Sequence, residues 1–98
     1  MTDEKVFDFI RQLAVKYNAE KVVLFGSRAR GDNFEKSDYD IVFYGINDSM
    51  SMIDIKEACD YESPTLKEID VSFIQDMGEN FLQSIKKDGI IIYERNKT

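Results

Sequence analysis

Three aspartates, two glycines and an arginine stand where packing does not explain them. Asp38 and Asp40 are two residues apart in 38–44, a run that reads as a strand, so both side chains leave the same face. Asp70 lies inside a second β-rich run, 69–74, where a charge is costly unless it has a partner. If neighbouring strands bring the three carboxylates together, each pair at ~4 Å repels by about 4 kcal/mol at an effective dielectric of about 20. A hard divalent cation relieves that repulsion, and oxygen-only ligation with retained water describes Mg²⁺. Taken alone, the Asp-x-Asp pair is equally compatible with a capped turn followed by a solvated edge position. An EF-hand loop starting at Asp38 is excluded, because Phe43 stands where its glycine belongs and Ser49 where its bidentate glutamate belongs.

Gly26-Ser27 follows a short β-branched and aromatic run and precedes a possible helical turn. That layout aims backbone N–H groups at an anion. Gly26 would let a phosphate approach the backbone without Cβ obstruction, Ser27 offers a hydroxyl, and Arg30 offers a fork for phosphate oxygens. The segment lacks the Gly-Lys-Ser/Thr of a Walker A loop and is not Gly-x-Gly-x-x-Gly. On its own, 26–31 reads first as a tight turn ending at Gly31. Together with the paired-carboxylate strand and the later Asp70, it outlines a metal–triphosphate site. One cation or two would bridge carboxylates and phosphate oxygens during an in-line displacement.

These residues need elements to hold them. Thr2 reads as an N-cap ahead of Asp3 and Glu4, and Val6, Phe9, Ile10, Leu13, Ala14 and Tyr17 follow at helical spacing up to a stop at Asn18. The run 21–25 reads as a strand ending at Gly26, 27–30 as one helical turn, and 31–36 as a polar loop that Ser37 leads out of. Strand 38–44 puts Asp38, Asp40 and Val42 on one face and Tyr39, Ile41 and Phe43 on the other. A turn at 45–49 precedes a helix over 50–59, broken by Ser63-Pro64, and its Met50 and Met52 suit either a core or a partner interface. After the 69–74 strand, Phe81, Leu82 and Ile85 mark a last helix with Lys86 and Lys87 in its final turn and Gly89 as C-cap. The run 90–93 closes as a fourth strand. This helix–strand rhythm predicts one α/β domain over 1–98.

Composition removes whole classes of chemistry. The 98 residues contain no histidine, which excludes Ser-His-Asp hydrolysis, Cys-His catalysis and His-ligated zinc. The single cysteine, Cys59, excludes an internal disulfide and a Cys-pair metal site and reads as a small buried apolar residue. Nineteen acidic residues against thirteen basic ones give a net charge of −6, which disfavours nucleic-acid backbones and anionic membranes as partners. The acidic start fits no signal peptide, and the apolar runs are too short to cross a bilayer, so the expectation is a cytoplasmic domain.

The string Gly26-Ser27-Arg28-Ala29-Arg30-Gly31, followed by Ser37-Asp38-Tyr39-Asp40, resembles the signature of the DNA polymerase β-like nucleotidyltransferase superfamily. The compact length and the closing segment 81–94 resemble the minimal nucleotidyltransferases, the antitoxin partners of HEPN-domain toxins. The resemblance spans nearly the whole chain and implies the nucleotidyltransferase fold, an α/β (α+β) domain with a small mixed sheet of about four strands flanked by helices. It implies that Gly26 and Ser27 hold the β- and γ-phosphates of a nucleotide, with Arg30 as the supporting basic residue. It implies that Asp38 and Asp40 bind the nucleotide-associated and catalytic Mg²⁺ ions. Asp70, in Glu68-Ile69-Asp70-Val71, matches the third carboxylate, which binds the catalytic ion and helps deprotonate the attacking hydroxyl. Arg28 matches no role and, pointing away from Arg30, reads as solvated.

The missing histidine is consistent with this chemistry, since a carboxylate suffices as proton acceptor when a cation acidifies the hydroxyl. The resemblance implies ATP as donor, AMP as the group transferred and pyrophosphate as the second product. Superfamily members acting on small molecules or nucleic-acid ends commonly carry further domains, whereas here nearly every residue belongs to the core. The implied acceptor is therefore another protein, a HEPN toxin, adenylylated on a hydroxyl and thereby silenced. The acidic surface suits a basic RNA-binding partner. Two alternatives stay open: a nucleotidyltransferase for a small molecule such as an aminoglycoside, and an antitoxin that acts by binding alone.

Overall fold

The computed structural model describes residues 4–31 and 38–95. The expected cap at Thr2-Asp3, the 32–36 part of the polar loop and Ser37 lie outside the described residues. The first helix, α1 (Glu4–Lys16), buries Val6, Ile10, Leu13 and Ala14 along one stripe. It ends as the asparagine suggested. Asn18 adopts φ 57°, its N–H reaches Val15 O at 3.2 Å, and the Ala19 N–H reaches Ala14 O at 2.8 Å. That pair of bonds is a Schellman closure, with Asn18 in the left-handed position.

Four strands form one mixed sheet: β1 (Lys21–Phe25), β2 (Tyr39–Tyr44), β3 (Ile69–Phe73) and β4 (Ile90–Glu94), in the order β3-β2-β1-β4. β1 runs antiparallel to both β2 and β4, while β2 and β3 are parallel. A parallel pair needs a crossover, and α3 (Ser49–Tyr61) supplies it. This helix begins one residue earlier and ends two later than its apolar spacing predicts. Asp48 caps it, accepting a hydrogen bond from the Ser51 N–H at 2.9 Å, which holds that carboxyl below its ordinary pKa. Strand β2 begins at Tyr39, so Asp38 precedes it, and β3 ends at Phe73, where Ile74–Asp76 turn into a 3₁₀ segment.

Period-two alternation divides the sheet into two faces. Val22, Leu24, Tyr39, Ile41, Phe43, Ile69, Val71 and Phe73 meet α1 and the Ile55, Ala58 and Cys59 side of α3 in the main core. Cys59 is buried as expected, and burial, with the Asp60 charge second, pushes its thiol up to about 12. The other face carries Val23, Phe25 and Val42, covered by Ile85 of a single helix, α4 (Glu79–Asp88). Gly89 ends α4 with φ −62° and ψ 140°, an extended rather than left-handed conformation. Its glycine is required by space: a Cβ there would run into Ile85 O and stand 2.8 Å from Val23 Cγ1. The fold is therefore the expected α/β arrangement, with helices unevenly distributed over its two faces. Among the described residues no helix is long and apolar enough to cross a membrane.

Candidate active site

The half-covered face is where the polar residues emerge. In the sheet register Phe25 of β1 stands opposite Asp40 of β2, and Asp40 opposite Asp70 of β3. The three residues make one row across neighbouring strands spaced by about 4.8 Å. Because Ile69, Val71 and Phe73 point into the main core, Asp70 and Ser72 must leave the opposite face, beside Asp40 and Val42. Thirty residues of chain thus separate two carboxylates that the parallel pairing puts side by side.

Gly26, directly after Phe25, adopts φ 77° and ψ −157°, a region essentially reserved for glycine. The missing side chain makes room for Asp40. A Cβ on Gly26 would overlap Asp40 Oδ2 and stand 3.2 Å from Asp40 Cγ. The chain then makes the single turn α2 (Ser27–Arg30), in which Gly26 O accepts hydrogen bonds from the N–H groups of Ala29 and Arg30, each at 3.1 Å. This turn brings Arg30 to the carboxylates. Burial raises the Asp40 pKa above its ordinary value of 3.8, the charges of Asp70 and then Asp38 raise it further, and Arg30 opposes them.

These residues form one end of a cleft of about 470 Å³ that Gly26, Arg30, Asp40 and Asp70 line. Ser27 is half-buried at the start of α2, and Asp38 is exposed before β2; neither contributes to the cleft wall. Asp38 acts on Asp40 through its charge. The wall facing the carboxylates consists of Asp76, Met77 and Gly78 leading into α4, then Asn80, Phe81 and Ser84 of that helix. Sequence reasoning missed this wall. Ser72 was findable, since it shares the strand face of Asp70, but nothing local says that α4 folds back over this end of the sheet.

Arg28 differs from the solvated reading. Its guanidinium carbon lies 4.0 Å from the centre of the Tyr39 ring, which Phe7 meets edge-on at 6.3 Å. Tyr39 is only 2% exposed and sits between Asp38 and Asp40. Arg28 therefore ties the turn after Gly26 to the start of the carboxylate strand, an arrangement favoured by cation–π attraction.

The fit to a metal follows from the donors. Asp40 and Asp70 offer oxygen ligands side by side, and Asp40 carries an excess of negative field that a divalent cation would offset. Among the described residues, no three acidic or thiol groups form a ready ligand cluster. Two carboxylates with the balance of ligands from water and phosphate is the pattern Mg²⁺ takes, as opposed to an all-protein cage.

Known proteins resemble this chain in sequence and in fold. A candidate protein adenylyltransferase of Methanocaldococcus jannaschii is 43% identical over 58 residues, which cover 56% of this chain. The aligned part spans 58% of the length of that relative. A chain of a toxin–antitoxin complex crystallised with AMP-PNP superposes with a TM-score of 0.69 at 17% identity, covering 91% of this chain and 73% of its own. A chain of the complex between tri-AMPylated Shewanella oneidensis HEPN toxin and MNT antitoxin gives 0.67 at 14% identity, covering 96% and 74%. At those identities the structural likeness is one of fold. Residues 8–98 match the sequence profile described as Polymerase beta, Nucleotidyltransferase. Row of carboxylates, glycine turn and profile agree: the chain belongs to the polymerase β nucleotidyltransferase family.

Proposed function

We propose that residues 1–98 work as one cytoplasmic domain that transfers AMP from ATP to a hydroxyl of a partner protein, a HEPN-domain toxin, and so acts as an antitoxin. The observation that carries this reading is Gly26 seated against Asp40, with Asp70 in register beside it, at one end of a nucleotide-sized cleft. Family membership supports nucleotidyl transfer. The name of the Methanocaldococcus relative and the AMPylated toxin of the Shewanella complex support a protein acceptor. The net charge of −6 supports docking on a basic partner.

In this reading Gly26 and Ser27 receive the phosphate end of ATP, and Arg30 neutralises part of its charge. Asp40 and Asp70 would hold Mg²⁺, and Asp38, just before β2, would add its negative charge. When bound, the ion screens the phosphate oxygens and lowers the charge barrier to attack. The acceptor oxygen forms a bond to the α-phosphorus as the bond to pyrophosphate breaks. Asp70, the more open of the two aligned carboxylates, takes the hydroxyl proton.

The test is to mix the purified chain with its HEPN-domain partner, ATP and Mg²⁺ and to record the intact mass of each protein. Addition of AMP to the partner, lost in the Asp38→Ala/Asp40→Ala variant, is expected. Inhibition of the partner without any mass change, and equally by the double variant, overturns the reading in favour of neutralisation by binding. AMP appearing on an aminoglycoside and not on the partner overturns the acceptor assignment.

A further inference from the structure

We infer that Phe81 is the platform on which the nucleobase of the bound nucleotide stacks, an assignment that rests on the nucleotidyl-transfer reading above. Phe81 is a large apolar side chain left 56% exposed, and it lines the same cleft as Gly26, Asp40 and Asp70. Its neighbour in the wall is Phe25, whose ring lies 6.3 Å away and nearly perpendicular, at 78°. This edge contact positions the Phe81 ring, and whichever ring presents its edge, at least one face of Phe81 is left uncovered by Phe25. Phe25 is also the residue before Gly26 and the register partner of Asp40. One side chain therefore links the phosphate end of the cleft to the exposed ring.

Charge sets the direction in which a nucleotide enters. Among the described residues lining the cleft, Arg30 is the one cation, and it stands at the Gly26 end. With Mg²⁺ held by Asp40 and Asp70, that end would attract a triphosphate, whereas the α4 end presents Asp76, Met77 and Phe81, which repel it and accept an uncharged aromatic base. A volume of about 470 Å³ is within the range of small-ligand sites. Stacking on an aromatic side chain tolerates every base, because each has a π-face. The platform therefore secures the nucleotide with little discrimination among bases.

The chain contains no tryptophan, so Phe81→Trp introduces a single fluorophore at the platform. In the full chain with Mg²⁺, ATP is expected to quench that fluorescence, whereas inorganic tripolyphosphate, which lacks a base, leaves it unchanged. Phe81→Ala is expected to weaken ATP binding by roughly 5- to 150-fold, the range for loss of one base–aromatic stack. Its affinity for tripolyphosphate should stay at the wild-type value. Phe81→Leu, which keeps an apolar contact with Phe25, should show the same selective loss in a fully folded protein. Wild-type ATP affinity in both variants, or equal loss of ATP and tripolyphosphate, overturns the assignment. A wild-type protein that binds neither ligand overturns it together with the transfer reading. A protein that binds ATP through Phe81 yet modifies no partner overturns the transfer reading alone.

Discussion

Replacing Gly26 by alanine tests the geometry on which the site depends. The added methyl faces two penalties that arise separately. Holding a residue with a Cβ at φ 77° and ψ −157° costs about 1–3 kcal/mol. The same Cβ overlaps Asp40 Oδ2, and turning the carboxylate off its rotamer costs about 0.5–1.5 kcal/mol more. The sum is about 1.5–4.5 kcal/mol, and a domain of this size loses roughly 4–8 °C of Tm per kcal/mol. Thermal unfolding should therefore move down by at least about 6 °C. Displacing Asp40 should lower the transfer rate by about 100-fold, the effect of a misplacement near 1 Å. The decisive measurement is a double-mutant cycle by urea unfolding, with Gly26→Ala made in wild-type and Asp40→Ala backgrounds. If the carboxylate is what the methyl meets, the substitution is milder without it, by about 0.5–1.5 kcal/mol. Equal cost in both backgrounds, or a Gly26→Ala protein with wild-type Tm and activity, would refute the account.

Two further expectations concern charge and space. Since burial and the neighbouring aspartates raise the Asp40 pKa in the folded protein, the fold binds that proton more readily than the unfolded chain does. Without divalent metal, the contribution of Asp40 to stability should thus rise as pH falls from neutral through the raised pKa and gain no more below the ordinary value of 3.8, while Asp48, with its lowered pKa, contributes with the opposite sign. Asp40→Asn should flatten this dependence and raise Tm at neutral pH while abolishing transfer, as followed by thermal melts across pH; an unchanged pH profile would contradict the electrostatic picture. Gly89→Ala puts a methyl against Ile85 O and Val23 Cγ1, so urea unfolding should report a loss of about 1–3 kcal/mol from overpacking, with the α2–β2 site intact.

Much of the architecture was legible residue by residue. The run Lys21–Phe25, the single turn Ser27–Arg30 and the asparagine stop of α1 all appear where local spacing and backbone preference put them. Alternation in β2 separated Asp40 and Val42 from Tyr39, Ile41 and Phe43, and the two cores keep that division. Boundaries moved where a side chain outside the periodic run intervened, as when the Asp48 cap started α3 early. Gly89 was recognised at the right position for a reason that proved different, because its φ is ordinary and the constraint is the space between Ile85 and Val23. Arg28 looked solvated because helical spacing describes its own turn and says nothing of the Tyr39 ring that arrives from β2.

The chemistry available to this chain followed from residue types and spacing: no histidine, one cysteine, and carboxylates at strand spacing beside a glycine turn. Such properties are local, set by side-chain inventory and by the two-residue repeat of a strand. The juxtapositions were not local. Parallel pairing of β2 with β3 put Asp70 beside Asp40, and folding of α4 over the thinly covered face built the wall that carries Phe81. Strand order, register and the seating of a helix depend on burial summed over the whole sheet, and no short segment encodes that sum.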